Sequence, residues 1–216
     1  MAIQYWPGLK QDPETQKLSV DRLEETLATA VKTMKMNNYL SAGATPGETL
    51  KMLKDDYEDA MYMGYTDIIA FSTGASAFVN VSDDLKAGRC IFLAPGFSPI
   101  NISQMRKDKK GNIKEYNLTK AFNLYDGYVS YIYGKRAYSK AKNVKDILTL
   151  TIQGTEDELV RPKGTIKFYE RVQYLTENIA LHRLELIEGK HGLLYRAETQ
   201  EKTLKLIKNF IDKNHS

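Results

Sequence analysis

Only one of the 216 residues is a cysteine. Cys90 lies inside the apolar run CIFLA, so no internal disulfide can form, and a thiol packed on a strand is expected rather than a nucleophile. No stretch approaches the roughly 20 consecutive apolar residues of a membrane-spanning helix. The opening MAIQYWPGLK lacks the basic start, apolar centre and small-residue cleavage site of a secretion signal, so a cytosolic protein without a membrane span is expected. Metal and phosphate signatures are missing too. There is no H-x-x-x-H and no cysteine pair, and GKHG has no glycine at phosphate-loop spacing, so no metal and no cofactor is expected. Charge of one sign is not in excess: 31 Lys and Arg stand against 27 Asp and Glu, and the net charge of +4 is spread along the chain. That is a weak nucleic-acid footprint, and no nucleic-acid partner is expected. The one basic cluster, RKDKKGNIK at 106–114, contains an Asp and a Gly-Asn turn signal but no base-stacking aromatic, and reads as a solvated loop.

What is present is an alternation of short apolar runs with longer amphipathic ones, with no internal repeat and no Pro/Ser-rich linker, so 1–216 is read as one unit. The runs at 2–6, 38–42, 67–71, 89–94, 147–152 and 182–188 read as strands. Val20, Leu23, Leu27, Val31 and Met34 recur at helical spacing, as do Leu50, Leu53, Tyr57, Ala60 and Met61. The second of these helices opens on TPGE, with Thr45 as N-cap, Pro46 in the first turn and Glu48 three residues after the cap. Ile166, Tyr169, Val172 and Leu175 mark a connector between the fifth and sixth strands, and Leu204, Ile207, Phe210 and Ile211 mark a closing helix. Strands separated by helices predict an α/β fold: a mostly parallel six-stranded sheet covered on both faces. Ligands in such folds collect at the carboxyl ends of the strands, so the residues that follow each strand are the ones to weigh for chemistry.

Ser72 follows the third strand in AFSTGA, with Ala70 two residues before it and Gly74 two after. A sharp strand-to-helix turn needs small residues at those two places, and it projects its central side chain while the next amide, that of Thr73, opens the helix. That amide suits a developing oxyanion. Ser76 competes for the role, but one turn into the helix its hydroxyl can bond back to a carbonyl. QGTEDELV at 153–160 follows the fifth strand and places Asp157 in a strand-end loop, with Glu156 and Glu158 as open alternatives. Of the three histidines, His182 opens a strand, His215 lies in the tail, and His191 alone occupies a strand-end loop, in EGKHGLL. A serine hydroxyl becomes a nucleophile when an imidazole accepts its proton, and a carboxylate fixes the imidazole's tautomer. Ser72, Asp157 and His191 supply those three parts.

With AFSTGA as a nucleophile elbow, GTEDELV as an acid loop of the pattern G-x-x-D-x-x-V and GKHG as a histidine loop, the chain resembles the α/β-hydrolase family, whose order is nucleophile, acid, histidine. The family spacing selects Asp157 over its acidic neighbours. In YWPGLKQDP, Pro7 and Gly8 take the place of the His-Gly pair that follows the family's third strand, so the resemblance implies the Leu9 amide as second oxyanion donor. LAPG at 93–96 resembles the strand after the nucleophile helix. Ala70 replaces the first glycine of G-x-S-x-G, Pro7 replaces a histidine, and the sheet begins at the family's third strand. The resemblance also implies that 97–146 forms a lid or cap. Tyr125, Tyr128 and Tyr131 in that segment, with Tyr133 and Tyr138, would suit a pocket wall for a substrate of mixed polarity; equally, they suit a helix packed on the sheet with its hydroxyls in solvent. The expected activity is serine-dependent hydrolysis of a small carboxylic ester. A thioesterase or acyltransferase with the same triad, and a non-catalytic ligand-binding relative, are the alternatives.

Overall fold

Strands β1 (Ile3–Trp6), β3 (Asp67–Phe71) and β4 (Arg89–Leu93) are nearly continuous apolar runs, as strands covered on both faces must be. The computed structural model describes residues 2–9, 11–81, 83–97, 106–107, 113–114 and 124–214, with the backbone alone at 106–107, 113–114 and 124–128. The remaining elements of the sheet are β2 (Val31–Thr33), β7 (Leu148–Gly154) and β8 (His182–Ile187), and the strand order is β2-β1-β3-β4-β7-β8 with every pair parallel. Helices α1 (Pro13–Leu27), α2 (Met36–Ser41), α3 (Pro46–Tyr62), α4 (Thr73–Val81), α5 (Leu124–Ser139), α6 (Pro162–Leu175) and α7 (Ala197–Lys213) connect and cover it. Successive strand residues point to opposite faces. Ile68, Ala70, Cys90 and Phe92 therefore join the core beneath α3, α4, α5 and α6, whereas Ile69, Phe71, Ile91 and Leu93 join the one shared with α1 and α7.

The chain leaves β1 to one side to form β2 and then returns to the other side to form β3. The connections diverge between β1 and β3, which opens a crevice at their carboxyl ends. Ser72 and the Pro7–Leu9 turn flank that crevice.

Two expected elements are corrected. The run 38–42 is not a strand, since it falls largely within α2, and the edge strand is Val31–Thr33. Val31 and Met34 continue the apolar period of α1, but that helix stops at Leu27 because Ala28 takes a left-handed conformation (φ 47°) that turns the chain into the sheet. Within α2, Met36 is fully buried, and Tyr39 donates its hydroxyl to Asp56 Oδ2 at 2.6 Å; burial and, after it, that carboxylate push the Tyr39 phenol up to about 12. The start of α3 forms as its sequence indicates: Glu48 N donates to Thr45 Oγ1 (3.3 Å), and Thr45 N donates to Glu48 Oε2 (2.8 Å).

In the basic cluster, β5 (Arg106–Lys107) and β6 (Ile113–Lys114) pair antiparallel, a short ribbon where a plain loop was expected; 108–112 lie outside the described residues. Cys90 is fully buried, and burial pushes its thiol well up, the state expected of a packed strand residue. Among the described residues no helix is long and apolar enough to cross a membrane.

Candidate active site

Ser72 follows the last residue of β3 and precedes the first residue of α4. Its φ of +52° is unusual for a residue with a side chain, and three backbone bonds hold it there: Ser72 N donates to Leu93 O (2.9 Å), while Gly96 N (2.9 Å) and Ala75 N (3.1 Å) donate to Ser72 O. The turn demands close approach. A methyl group on Gly74 would overlap the carbonyl oxygens of Trp6 and Pro7, so glycine lets the start of α4 sit directly on the end of β1. Ala70, two residues before, is fully buried.

From the far side of the sheet, Gly154 and Gly189 perform a similar service. A side chain on Gly154 would run into the Gly189 and Lys190 backbone, and Gly189 itself has a φ of +145°. The acid and histidine loops therefore touch backbone to backbone, tied by Thr155 N donating to Ile187 O (2.8 Å) and Glu156 N to Gly189 O (3.0 Å). Asp157 and His191 meet as a result: His191 Nδ1 lies 2.7 Å from Asp157 Oδ2, and His191 Nε2 lies 2.9 Å from Ser72 Oγ. The Asp157 side chain is 0% exposed and that of His191 13%, and Ser72 as a residue is 6% exposed. Asp157 Oδ1 accepts from Leu159 N (2.9 Å) and Val160 N (2.8 Å), which fills that oxygen and leaves Oδ2 for the imidazole. With an ionised Asp157 the proton belongs on Nδ1, and Nε2 is then free to accept from the serine. Phe71 packs its ring 4.9 Å from the imidazole centroid and restrains it from the sheet side.

Around the expected oxyanion position, Thr73 is the first residue of α4, so its N–H lies outside the helix's own ladder. Gly8 lies against Ser72, since a Cβ on Gly8 would come within 3.3 Å of Ser72 Cβ. Its carbonyl accepts from Asn37 Nδ2 (3.0 Å) and Gln11 N (3.2 Å), which orients the peptide that carries the Leu9 N–H, because the two ends of a trans peptide point in opposite directions.

Ser76 is fully buried and donates to Thr73 O at 2.9 Å. Of the tyrosines, Tyr131 is 36% exposed on α5 with Lys135 Nζ 5.9 Å from its ring, and no described contact brings it to Ser72. The side chains of Tyr125 and Tyr128 lie outside the described residues. It is Ser130 that reaches the elbow, sharing a buried 3.2 Å hydrogen bond with the Thr73 hydroxyl. Tyr131 follows it by one residue, a turn of about 100° around the helix. Gln153, Asn37, Phe71 and Ser130 are the site neighbours that sequence reasoning missed. Only Gln153 leaves a trace in the sequence, as a polar residue closing an apolar strand.

Among the described residues, no group of three or more His, Cys, Asp or Glu is placed to hold a metal ion. Burial chiefly pushes up the Tyr195 phenol beside Phe71, with the Asp157 charge adding to it.

The parallel sheet, the elbow and the strand-end loops define an α/β-hydrolase fold, and comparison with solved structures agrees. The chain is similar to a monoacylglycerol lipase from Paleococcus ferrophilus, with a TM-score of 0.63 and 14% identity over 98% of this chain and 94% of that one. It is similar to Est1E from Butyrivibrio proteoclasticus at TM-score 0.63 and 18% identity, covering 98% and 86%. The enol-lactonase from Burkholderia xenovorans gives a TM-score of 0.61 at 14% identity, covering 98% and 91%. No protein-family model and no curated protein matches the chain.

Proposed function

We propose that the protein is a serine hydrolase that cleaves a small carboxylic ester through an acyl-enzyme on Ser72. The reading is carried by the unbroken hydrogen-bonded chain from Ser72 Oγ through His191 to a buried Asp157, at 2.9 and 2.7 Å. Ser72 Oγ attacks the acyl carbon as His191 Nε2 takes the hydroxyl proton, and the carbonyl oxygen becomes an oxyanion. Asp157 stabilises the imidazolium. The amides of Thr73 and Leu9 bind the oxyanion, and loss of one such donor typically costs about 3 kcal/mol of transition-state stabilisation. The ester C–O bond then breaks, the departing alcohol takes the proton from His191, and water repeats the sequence to release the acid and restore Ser72. Structural neighbours named lipase, esterase and lactonase support this reading by analogy of fold.

The test is mass-spectrometric labelling with a fluorophosphonate, beside Ser72→Ala. A single stoichiometric adduct on Ser72, absent in the variant, is expected. A folded wild-type protein that takes no label overturns the reading. Paired panels of oxygen esters and thioesters then identify the leaving group.

A further inference from the structure

Gln153, the penultimate residue of β7, is fully buried, and its side-chain nitrogen faces only acceptors: Gly154 O (3.1 Å), Asp157 Oδ2 (3.1 Å) and Val160 O (3.2 Å). Its oxygen accepts from Thr165 Oγ1 at 2.7 Å. The opposite amide orientation would set an oxygen against three oxygens, so the network admits one arrangement. The NH2 group thus donates to the same carboxylate oxygen that faces His191, while Thr165, in the first turn of α6, locks the amide from behind.

We infer that Gln153 is a positioning residue that tunes the Asp157–His191 pair, an assignment that rests on the serine-hydrolase reading of the site. Two effects follow from its place. Its two hydrogens are shared among the three acceptors, so beside Oδ2 it holds Gly154 O and Val160 O, ties both ends of the acid loop to the end of β7, and aims Oδ2 at the imidazole. By donating to Oδ2, it also draws negative charge from the atom that stabilises the imidazolium, so His191 is less basic than it would be beside an otherwise unbonded oxygen. An imidazole that stays neutral further into acid remains able to accept the serine proton there.

Among the described residues, the other groups facing the pair are Tyr195, whose phenol feels the Asp157 charge, and Phe71, which does not titrate. The neighbouring Glu156, Glu158, Arg161 and Lys190 are all exposed to solvent.

The decisive experiment is the pH dependence of fluorophosphonate labelling at Ser72, which needs no knowledge of the natural substrate. In Gln153→Met, which keeps length but removes the donor, the acid limb should move to higher pH by about one unit. Gln153→Glu, buried against the same three oxygens, is held protonated by burial and the Asp157 charge, keeps one donor for Oδ2 and should leave the limb near its wild-type position. A lowered rate with an unmoved limb in a folded variant would mean that Gln153 only supports the loop, and would overturn the inference. Should the variants not fold, 15N NMR of the wild type decides. The Gln153 side-chain amide should titrate with the midpoint of the labelling profile, and an amide that does not respond overturns it. A wild type that takes no label defeats the serine-hydrolase reading itself, a separate outcome.

Discussion

At the scale of single residues, the donors around Asp157 determine what a one-atom change would do. In Asp157→Asn, the two amides of Leu159 and Val160 must keep an oxygen in front of them, so the new NH2 group would face His191 Nδ1 and the Gln153 amide. A donor there forces the imidazole to hold its proton on Nε2, the atom that in the proposed reaction receives one from Ser72. The expected loss in labelling rate is on the order of 10⁴-fold, the scale set by the wrong tautomer in triads of this type. Thermal unfolding should remain cooperative, and a rate within tenfold of wild type would show that Asp157 does not set the tautomer. Asn37 offers a gentler test. Asn37→Ala frees the Gly8 carbonyl from one of its two donors, a bond worth about 1 kcal/mol, so kcat should fall by about fivefold to tenfold with KM little changed. An unchanged kcat would show that Gln11 N alone holds the turn.

At the scale of elements, the start of α4 bears directly on β1. Gly74→Ala drives a methyl group into the Trp6 and Pro7 carbonyls, and neither can withdraw without moving the strand that carries the Leu9 turn. Overpacking of this kind costs about 1–3 kcal/mol, so both the midpoint of urea unfolding and the labelling rate should fall. A variant that melts and labels like wild type would mean that the contact relaxes freely. Such local requirements are why much of the fold is legible in sequence. Small residues two before and two after Ser72, a Thr-Pro-x-Glu helix start and five of the six strands of the main sheet leave patterns a few residues long. The edge strand β2 leaves none. Its three residues pair on one side only and are half-buried, so no alternation builds up, and the apolar period of α1 runs straight through it. Ser72, Asp157 and His191 could be picked out because each follows a strand at the same sheet edge. Asn37 leaves no signal and Gln153 only a polar position near the end of a strand, because an amide's role depends on which atoms the fold brings to it from elsewhere.

At the scale of the whole molecule, the two edges of the sheet are chemically distinct. The carboxyl edge gathers Ser72, Asp157 and His191, whereas the amino edge is closed by structural polar contacts. There Arg89 grips Asp67 with two bonds, at 3.1 and 2.6 Å, and donates to Ile211 O at 2.9 Å, binding the end of α7 to the sheet. His182 belongs to the same edge: its Nδ1 lies 2.8 Å from Thr149 Oγ1, and its Nε2 lies 2.8 Å from Lys145 O. A carbonyl can only accept, so Nε2 carries the proton and Nδ1 accepts from threonine. Burial is the larger influence on this imidazole and holds its pKa below the ordinary histidine value of 6.5. Between the two values the unfolded chain binds a proton that the folded chain refuses, so His182 lowers stability as pH falls through and below 6.5. Above that range it contributes no pH dependence. Asp12 and Glu48, lowered by bonds from Thr15 and Thr45, act in a separate window; the stability they add is lost only as pH falls below their ordinary values of 3.8 and 4.5. Acid destabilisation should therefore come in two stages. Urea midpoints measured from pH 8 to 5 should decline below about pH 6.5 in the wild type, and His182→Gln, whose amide offers a donor and an acceptor but no titration, should flatten that decline. An equal slope in the variant would locate the first stage in other groups and leave His182 a spectator to the molecule's response to acid.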